Sequence, residues 1–537
     1  MSAWPPEPIP TRRPALLQRL ATVPRWDLAI VGGGATGLGL ALEAAVRGYA
    51  VVLLESHDFA SGTSSRSTKL LHGGVRYLAQ GNIGLVRQAL RERAIVLRNA
   101  SHLAAPLPFV LPAYGRGQRL FYGAGLTAYD LLAGSARLGA TTWLSAEQTL
   151  QALPGLQPQG LRGGVQYWDG QFDDARLAVA LARTAASHGA LLLNYCEVRG
   201  LLHEQGQVVG LRAHDRLLGQ DYEVRARCVV NATGVWVDGL RAQDAAARAE
   251  AAQALVTPSQ GVHVVVDQAF LPGAHALLVP RTADGRVLFA IPWLGKLVLG
   301  TTDTPRPDAP REPAPWRAEL DFILGEAARY LRRAPTLADL RSVWVGLRPL
   351  VGGGAAAGGT AGLSREHLIV TSASGLVSVS GGKWTTYRAM ADDVLAQAVR
   401  QGLLPPSARS SVSAGLALVG TAAGGAPPPP AALAAPPGAH LYGSEAAWLA
   451  RLPGGDQEVA PGLSAAMVRF AARYEYALTV EDVLARRSRL LFLDAEQALA
   501  AAPRVAAILE QELGHDPALA AFAEQAARYA HPVYAAG

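Results

Sequence analysis

Three glycines near the beginning of the chain, Gly32, Gly34 and Gly37, have the G-x-G-x-x-G spacing of dinucleotide-binding turns. Glycines at these positions let the backbone turn tightly and approach a diphosphate, which the free N–H groups and the dipole of the following helix attract. Glu55 lies about twenty residues farther on, where a carboxylate can accept hydrogen bonds from an adenosine ribose. Together these residues predict a dinucleotide cofactor.

Two later stretches favour FAD over NAD as that cofactor. NATGVW, from Asn231 to Trp236, and SGGKWTTYR, from Ser380 to Arg388, each follow an apolar run that is typical of a strand. A helix that begins after the glycine pair of the second stretch can direct its N-terminus at a flavin ring. A cofactor recognised from such distant parts of a chain is long, so we predict FAD.

The elements that must position these residues form a βαβ unit. Residues 28–31 predict a buried strand, an alanine-rich segment to about residue 47 predicts a helix, and residues 50–54 predict a second buried strand. Further strands are predicted at 227–230, 262–266, 287–291, 297–299, 368–371 and 376–379, and helices at 84–99, 174–188, 317–333 and 385–401.

The C-terminal part of the chain has a different composition. Residues 405–438 are rich in alanine, proline and glycine, which is typical of a semi-rigid linker. Beyond them, helices are predicted at 480–489, with Thr479 and Asp482 as a capping pair, and at 465–476 and 495–513. We therefore expect a small all-helical domain after residue 438.

Composition and charge exclude several classes of protein. The 537 residues carry a formal net charge of +6 without a dense Lys/Arg stripe, so nucleic acid is not an expected partner. Cys196 and Cys228 form no C-x-x-C, and no metal site is predicted. No run resembles a transmembrane helix. A solvated helix face is the simplest explanation of the tightest basic cluster, Arg486, Arg487 and Arg489.

The sequence closely resembles the FAD-dependent glycerol-3-phosphate dehydrogenases, the quinone-linked enzymes of bacterial membranes and mitochondria. The resemblance covers about residues 26–494 and rests on long motifs such as DLAIVGGGATG, ASGTSSRSTKLLHGGVRYL, GVHVVV, VGLRPL, LSREH and SGGKWTTYR. It implies an α/β fold with an FAD-binding Rossmann-like domain of the amino-acid-oxidase type, an inserted mixed-sheet substrate domain and a C-terminal all-helical domain. It also implies that sn-glycerol 3-phosphate is oxidised to dihydroxyacetone phosphate by hydride transfer to FAD, with the electrons passed to membrane quinone.

The implied division of the chain is discontinuous. The FAD-binding domain would comprise residues 1–99, 168–256 and 346–404, the substrate-binding domain 100–167 and 257–345, the linker 405–438 and the helical domain 439–537. A loop of glycine and alanine at 351–362 replaces a connection that tends to be polar and acidic in the family. Whether this loop acts as a lid stays open.

The resemblance also assigns the contacts of the cofactor. TSSRSTK would supply hydroxyl donors to the phosphates and the ring of FAD, and HGG would let the backbone pass close to the flavin, where a Cβ would collide. The predicted FAD contacts are Gly32, Gly34, Gly37, Glu55, Thr63, Ser64, Ser65, Thr68, His72, Gly73, Gly74, Ala232, Thr233, Gly234, Gly381, Gly382, Lys383 and Thr385.

A small phosphate dianion requires several cationic groups that converge in a partly dry pocket. The candidates within matched motifs are Arg76 in HGGVRY, Arg348 in GLRPL and Arg365 in SREH. The resemblance implies that these arginines and Tyr77 line the substrate site, and it places Lys383 beside the flavin and the substrate oxygens.

Oxidation of an alcohol requires a base that removes the hydroxyl proton as the hydride leaves. A histidine suits this role, and His263 in GVHVVV is our preferred base and a predicted substrate contact. Neighbouring arginines would lower its pKa and favour the neutral, proton-accepting form. Lys383 is the alternative base, and Arg348 completes the predicted catalytic set.

Transfer of electrons to quinone requires contact with a membrane. Without a spanning helix this contact would be peripheral, on anionic lipid at the inner, cytoplasmic face of the cell membrane. One candidate surface is the leader, in which Arg12 and Arg13 precede Leu16, Leu17 and Leu20; an ordinary capping segment is the alternative. The expected partners are thus glycerol 3-phosphate, dihydroxyacetone phosphate, quinone and anionic lipid, and a homodimer stays open.

Three other functions share parts of this pattern. A glycerol-3-phosphate oxidase would pass its electrons to oxygen and has most of the same motifs. An amino-acid or amine oxidase on the same fold would need to recognise a carboxylate, typically with one arginine, which the multiple-arginine pocket argues against. A flavoprotein that binds FAD without turnover, as a partner or sensor, is the third.

Overall fold

The structure, a computed structural model, describes residues 7–74, 78, 82–282, 285–352, 367–407, 409–422 and 428–535. Two large β-sheets with packed helices and a C-terminal group of helices make up this part of the chain. The predicted α/β class with a C-terminal helical domain is confirmed.

The first sheet is built around the predicted βαβ unit, and its central strands run parallel. They are buried apolar runs, as expected for strands covered on both faces. In order across the sheet its described strands are β17 (His367–Thr371), β18 (Val377–Gly381), β10 (Asp221–Asn231), β1 (Trp26–Val31), β2 (Val51–Leu54) and β7 (Leu191–Leu193), with the hairpin of β8 (Cys196–Glu204) and β9 (Gln207–Asp215) branching from β10.

The second sheet is mostly antiparallel and was only partly anticipated. Its described strands run in the order β15 (Thr304–Pro305), β11 (Val256–Asp267), β14 (Lys296–Gly300), β13 (Leu288–Trp293), β12 (Ala276–Val279), β4 (Ala104–Pro112), β6 (Gly164–Phe172) and β3 (Leu70–Leu71), while β16 (Ser342–Val351) pairs with β11 and β5 (Thr142–Leu144) with β6. A two-stranded sheet, β19 (Glu458–Ala460) and β20 (Leu463–Ser464), lies in the C-terminal part.

The predicted helices, apart from that at 480–489, are present with similar bounds, and several further helices were not predicted. Those described are α1 (Arg13–Thr22), α2 (Ala35–Val46), α3 (Ile83–Asn99), α4 (Gln118–Ala133), α5 (Ala146–Ala152), α6 (Asp174–Ser187), α7 (Val237–Ala247), α8 (Arg317–Tyr330), α9 (Tyr387–Arg400), α10 (Ala446–Leu449), α11 (Ala465–Tyr474), α12 (Leu490–Leu493), α13 (Ala495–Leu513) and α14 (Leu519–Ala530). Within the described ranges, no helix combines the length and the hydropathy that a membrane span requires.

The predicted helix at 480–489 is instead a π-helical turn, Asp482–Arg487. Its predicted cap is confirmed, because Asp482 N donates to Thr479 Oγ1 at 3.2 Å and Thr479 N donates to Asp482 Oδ2 at 3.1 Å. The interpretation of the three following arginines as a solvated face is wrong. Arg486, Arg487 and Arg489 are buried, since carboxylates from distant parts of the chain neutralise them.

Two segments that composition sets apart are packed against the body of the protein. In the predicted linker, Ala431 N donates to Pro106 O at 2.7 Å, and Leu433 is buried. In the leader, Leu17 and Leu20 are buried in the core of the first sheet, so they are not available to a membrane. The leader thus fits the alternative of a capping segment.

Candidate functional site

A cavity of about 600 Å³ lies between the two sheets. Its walls combine the turn after β1, the ends of β10 and β18, and the strands β11 and β16 of the second sheet. Stretches that are far apart in the sequence therefore meet around one space.

The glycine turn forms part of the cavity wall. Gly32 has φ +109°, and a Cβ there would lie 2.6 Å from Ala232 O, so the turn and the NATG stretch touch through their backbones. A Cβ on Gly37 would lie 1.9 Å from Gly32 O, which shows how tightly α2 packs on the turn. The N-terminus of α2 thereby faces the cavity, as a diphosphate site requires.

Glu55 stands beside this turn and helps to shape it. Its Oε2 accepts a hydrogen bond from Gly33 N at 2.7 Å, and its Oε1 accepts one from His57 N at 2.9 Å. A carboxylate has about four acceptor positions, so acceptor capacity remains for a ribose. Glu55 also lines the cavity.

Most hydroxyl groups of TSSRSTK are already engaged with the protein, whereas Ser65 Oγ is buried without a hydrogen-bond partner among the described residues. Ser64 Oγ accepts from Ala35 N at 2.9 Å, which leaves its own hydrogen available to a ligand. Thr63 Oγ1 donates to Leu347 O at 2.6 Å, so it can only accept from a ligand.

His263 lies on β11 and lines the same cavity. Its Nε2 is 3.0 Å from Thr68 Oγ1, and its Nδ1 is buried without a hydrogen-bond partner among the described residues. Burial lowers the pKa of His263 well below the ordinary value, and the charges of Lys69 and Arg348 lower it further. The imidazole is therefore neutral at neutral pH, as predicted, although burial contributes more to the shift than the arginine does.

Arg348 lies on β16 and reaches across β11. Its Nη1 donates to Thr302 O at 3.0 Å and to Asp303 Oδ1 at 3.2 Å, and its Nη2 donates to Thr301 Oγ1 at 3.1 Å. Gly261 makes room for the guanidinium, since a Cβ there would lie 2.4 Å from Arg348 Nη2. These hydrogen bonds hold the side chain at the cavity wall.

Lys383 follows the glycine pair at the end of β18. Gly381 and Gly382 have φ +80° and +72°, and a Cβ on Gly382 would lie 2.4 Å from Met390 Sδ. This tight turn brings Lys383 to the cavity at the start of the short helix that leads into α9. The N-terminal N–H groups of that helix face the same region.

The structure brings most of the predicted site residues together. The predicted residues that line the cavity are Gly32, Gly34, Glu55, Thr63, Ser64, Thr68, His72, Ala232, Thr233, Gly234, His263, Arg348, Gly381, Gly382, Lys383 and Thr385. Gly37, Ser65, Gly73 and Gly74 are not among the lining residues. Gly73 N instead donates to Tyr129 Oη at 2.8 Å, behind the wall.

Three predicted substrate residues, Arg76, Tyr77 and Arg365, lie outside the described residues, as does most of the loop at 351–362. Their roles stay predictions.

Sequence reasoning missed Lys69, which is fully buried beside this site. Its Nζ lies 2.7 Å from Asp174 Oδ2 and 4.6 Å from the centroid of the Trp344 ring. Burial lowers the pKa of Lys69 to about 7, Asp174 opposes this shift and the charge of Arg489 adds to it. The available signal was the position of this lysine within TSSRSTK, directly after Thr68.

Arg311 was also missed, although its side chain lines the cavity. It comes from the segment between β15 and α8, where the sequence RPDAPREPAPW shows no binding motif. Only the tertiary structure brings this segment to the cavity wall.

A Rossmann-type turn, a carboxylate after β2 and a cavity that is also lined by a second sheet fit an FAD-dependent oxidoreductase. A family model described as FAD dependent oxidoreductase matches residues 27–388, and one described as the C-terminal domain of alpha-glycerophosphate oxidase matches residues 438–520. The protein is therefore an FAD-dependent enzyme.

The particular family follows from its relatives. The chain is 40% identical to the mitochondrial glycerol-3-phosphate dehydrogenase of Homo sapiens, over 94% of this chain and 73% of the relative. It is 37% identical to the corresponding protein of Schizosaccharomyces pombe, over 95% of this chain and 87% of the relative. The chain belongs to the FAD-dependent glycerol-3-phosphate dehydrogenase family.

Solved structures agree with this assignment. The glycerol-3-phosphate dehydrogenase from Bacillus halodurans, complexed with FAD, has a TM-score of 0.77 and 30% identity, and the match covers 98% of this chain and 99% of that chain. Glycine oxidase from Geobacillus kaustophilus has a TM-score of 0.51 and 22% identity over 71% of this chain and 96% of that chain. The second likeness shows the fold alone.

Proposed function

We propose that this enzyme oxidises sn-glycerol 3-phosphate to dihydroxyacetone phosphate and passes the electrons to a membrane quinone. The observation that carries the proposal is the shared cavity, which is lined by the dinucleotide turn and by His263, Arg348 and Lys383. The names of the relatives, over nearly the whole chain, support glycerol 3-phosphate as the substrate.

In this proposal Arg348 binds the phosphate of the substrate. Its guanidinium lies at the cavity wall, where it pairs with Asp303. Arg76, Tyr77 and Arg365 complete the phosphate site by their place in the matched motifs. Several cationic groups suit a dianion better than the single arginine of a carboxylate site.

FAD, when bound, would supply the acceptor for the hydride that leaves C2 of the substrate. His263 accepts the proton of the C2 hydroxyl at Nε2, because Nδ1 is enclosed by protein and Nε2 is directed to Thr68 at the cavity wall. The neutral state of the imidazole prepares it for this role. Lys383, at the turn after β18, donates hydrogen bonds to the substrate oxygens and is the alternative base.

The test is anaerobic addition of glycerol 3-phosphate to the purified holoenzyme. Bleaching of the flavin absorbance at micromolar to millimolar substrate, and no bleaching by glycerol or amino acids, is the expected result. Bleaching by an amino acid instead would assign the protein to the amino-acid oxidases. Failure of every phosphorylated polyol to bleach the flavin would indicate a non-catalytic flavoprotein.

An exposed apolar surface supports contact with a membrane. On α4, Leu120, Phe121 and Leu131 are 69%, 76% and 78% exposed, and Trp143 on the adjacent β5 is 44% exposed. Leu120 and Leu131 are eleven residues apart, about three turns, so they share one side of the helix. We call these four side chains the α4 face.

Arginines surround the α4 face. Arg116 and Arg119 are exposed at the start of α4, and the side chain of Arg137, after its end, is 48% exposed. Asp130, the acidic residue of α4, is half-buried and accepts hydrogen bonds from Thr141. Apolar side chains flanked by arginines suit the surface of an anionic bilayer at the inner face of the cell membrane, where quinone is available.

The electron acceptor is tested after reduction by substrate. A ubiquinone analogue that reoxidises the flavin much faster than air-saturated buffer does is the expected result. The second candidate is oxygen, which the alpha-glycerophosphate oxidase model at residues 438–520 favours. Rapid reoxidation by oxygen with formation of peroxide would select that candidate.

A further inference from the structure

Residues 309–312, which we call the strap, connect the substrate side of the protein to the wall of the cofactor cavity. Ala309 O accepts a hydrogen bond from Trp236 Nε1 at 2.8 Å, and Arg311 Nη2 donates to Ser61 Oγ at 3.0 Å. Trp236 follows the NATG turn, and both it and Ser61 line the cavity. The strap is therefore attached at two points to residues that line the cavity.

The side chain of Arg311 is unusually placed for an arginine. Its guanidinium lies 5.4 Å from the centroid of the Trp236 ring and lines the same cavity as Glu55. Ser61 supplies its one hydrogen bond, and no carboxylate lies within ion-pair distance of it among the described residues. Burial lowers its pKa. A guanidinium has five N–H donors, so a largely buried one with a single partner indicates a polar or anionic ligand.

The strap is closed on its other side by the C-terminal helices. Glu312 is bonded to Arg66, and its Oε2 accepts from Tyr529 Oη of α14 at 3.2 Å. Arg66 is buried and also donates to Val345 O on β16 at 3.2 Å. Glu312 does not line the cavity, so its role in the strap is separate from contact with a cofactor.

We propose that Arg311 binds the adenosine-diphosphate half of FAD, and that Glu312, held by Arg66 and Tyr529, fastens the strap over the bound cofactor. Arg311 contacts Ser61 and Trp236 and lines the same cavity as Glu55 and the glycine turn, where the ribose and the diphosphate belong. The diphosphate carries the charge that a guanidinium recognises best. The C-terminal domain thus acts in retention of the cofactor, and the proposal depends on FAD but not on the identity of the substrate.

The test measures FAD release from the holoenzyme after high dilution, by the rise in flavin fluorescence and without substrate. Loss of a hydrogen-bonded charge predicts that Arg311→Ala releases FAD about 10- to 100-fold faster than the wild type. Arg311→Lys keeps the positive charge but lacks the planar guanidinium group. Its rate of FAD release should lie between those of the wild type and Arg311→Ala. Glu312→Gln should also release FAD faster than the wild type. It weakens the contact of Glu312 with Arg66, while every residue that lines the cavity is retained.

Arg317→Ala is the matched control, since Arg317 lies on α8 near the strap but is exposed and pairs with Asp321. Its release rate should equal that of the wild type. A wild-type release rate in Arg311→Ala overturns the contact, and so does an equal acceleration in Arg317→Ala. If Arg311→Ala does not fold, a wild-type rate in Arg311→Lys overturns the contact in its place. A wild-type rate in Glu312→Gln overturns the fastening.

Discussion

The rings of His263 and Trp344 are stacked, with centroids 4.1 Å apart and planes inclined by 16°. The two residues are direct partners on the antiparallel strands β11 and β16, so the register of the second sheet determines the orientation of the imidazole. The Trp344 ring also lies against Lys69 Nζ. The proposed base is thus oriented by a buried aromatic ring that a buried cation also contacts.

Replacement of His263 by Asn should remove the proton acceptor while it keeps a polar side chain of similar size. We expect the rate of flavin reduction by glycerol 3-phosphate to fall about 10²- to 10⁴-fold, the usual contribution of general-base catalysis. Anaerobic stopped-flow absorbance measures this rate. The flavin content should stay at the wild-type value, and a nearly unchanged rate would favour Lys383 as the base.

Replacement of Arg348 by Ala should weaken substrate binding about 10- to 100-fold, because a hydrogen bond to a charged group contributes about 1.5–3 kcal/mol. Gly261→Ala offers a matched variant without loss of charge, since its new Cβ would displace Arg348 Nη2. It should weaken binding in the same direction by a smaller factor. The substrate dependence of flavin reduction measures both, and tight binding by Arg348→Ala would contradict the proposed phosphate site.

The pH dependence of flavin reduction follows from the pKa of His263. Since burial, Lys69 and Arg348 hold this pKa well below 6.5, the imidazole stays in its proton-accepting form as the pH falls. At saturating substrate we expect no loss of rate from His263 between about pH 8 and 6, whereas an ordinary histidine would be half protonated near pH 6.5.

Lys69→Met provides the comparison for this pH profile. Lys69 has a pKa of about 7, so it is mostly cationic below that pH, where it repels an imidazolium. Without this charge the pKa of His263 should rise, and the rate should begin to fall at a higher pH than in the wild type. Identical acid limbs in the two profiles would show that Lys69 does not act on His263.

Replacement of both Leu120 and Phe121 by Ser should weaken binding to vesicles that contain an anionic phospholipid. Burial of one such side chain contributes about 1.5–3 kcal/mol, so we expect a loss of about 10-fold or more in affinity. Co-sedimentation measures the binding. Flavin reduction by the substrate should not change, and Leu218→Ser, at a leucine that is 59% exposed on another surface, should bind as the wild type does.

Replacement of Asp58 by Asn should destabilise the whole protein. Asp58 is fully buried, and although burial opposes it, Arg487 and Arg486 hold its pKa below the usual range. Without the carboxylate two buried guanidiniums lose a counter-charge, which typically costs about 3–5 kcal/mol. Thermal unfolding followed by circular dichroism measures this loss. Asp321→Asn, in an exposed pair with Arg317, should leave the unfolding temperature unchanged.

The nucleotide unit was predictable from the sequence because its signals are local. The glycines at 32, 34 and 37 and Glu55 lie within one short segment, and the apolar runs on both sides have the length of buried strands. The long helices were predictable for the same reason: α13 begins and ends where the periodicity indicates. The matched motifs indicated that His263 and Arg348 belong to the site. Only the fold brings the two side chains to one cavity.

Only the tertiary structure determined which charges are buried and which apolar side chains are exposed. Lys69, Asp174 and Arg489 come from three distant segments, and each alone has the character of a surface residue. A charge can be buried only beside partners that offset its lost hydration, and those partners are separated by hundreds of residues. Arg311 reaches the cofactor cavity for the same reason, through contacts that no local pattern encodes.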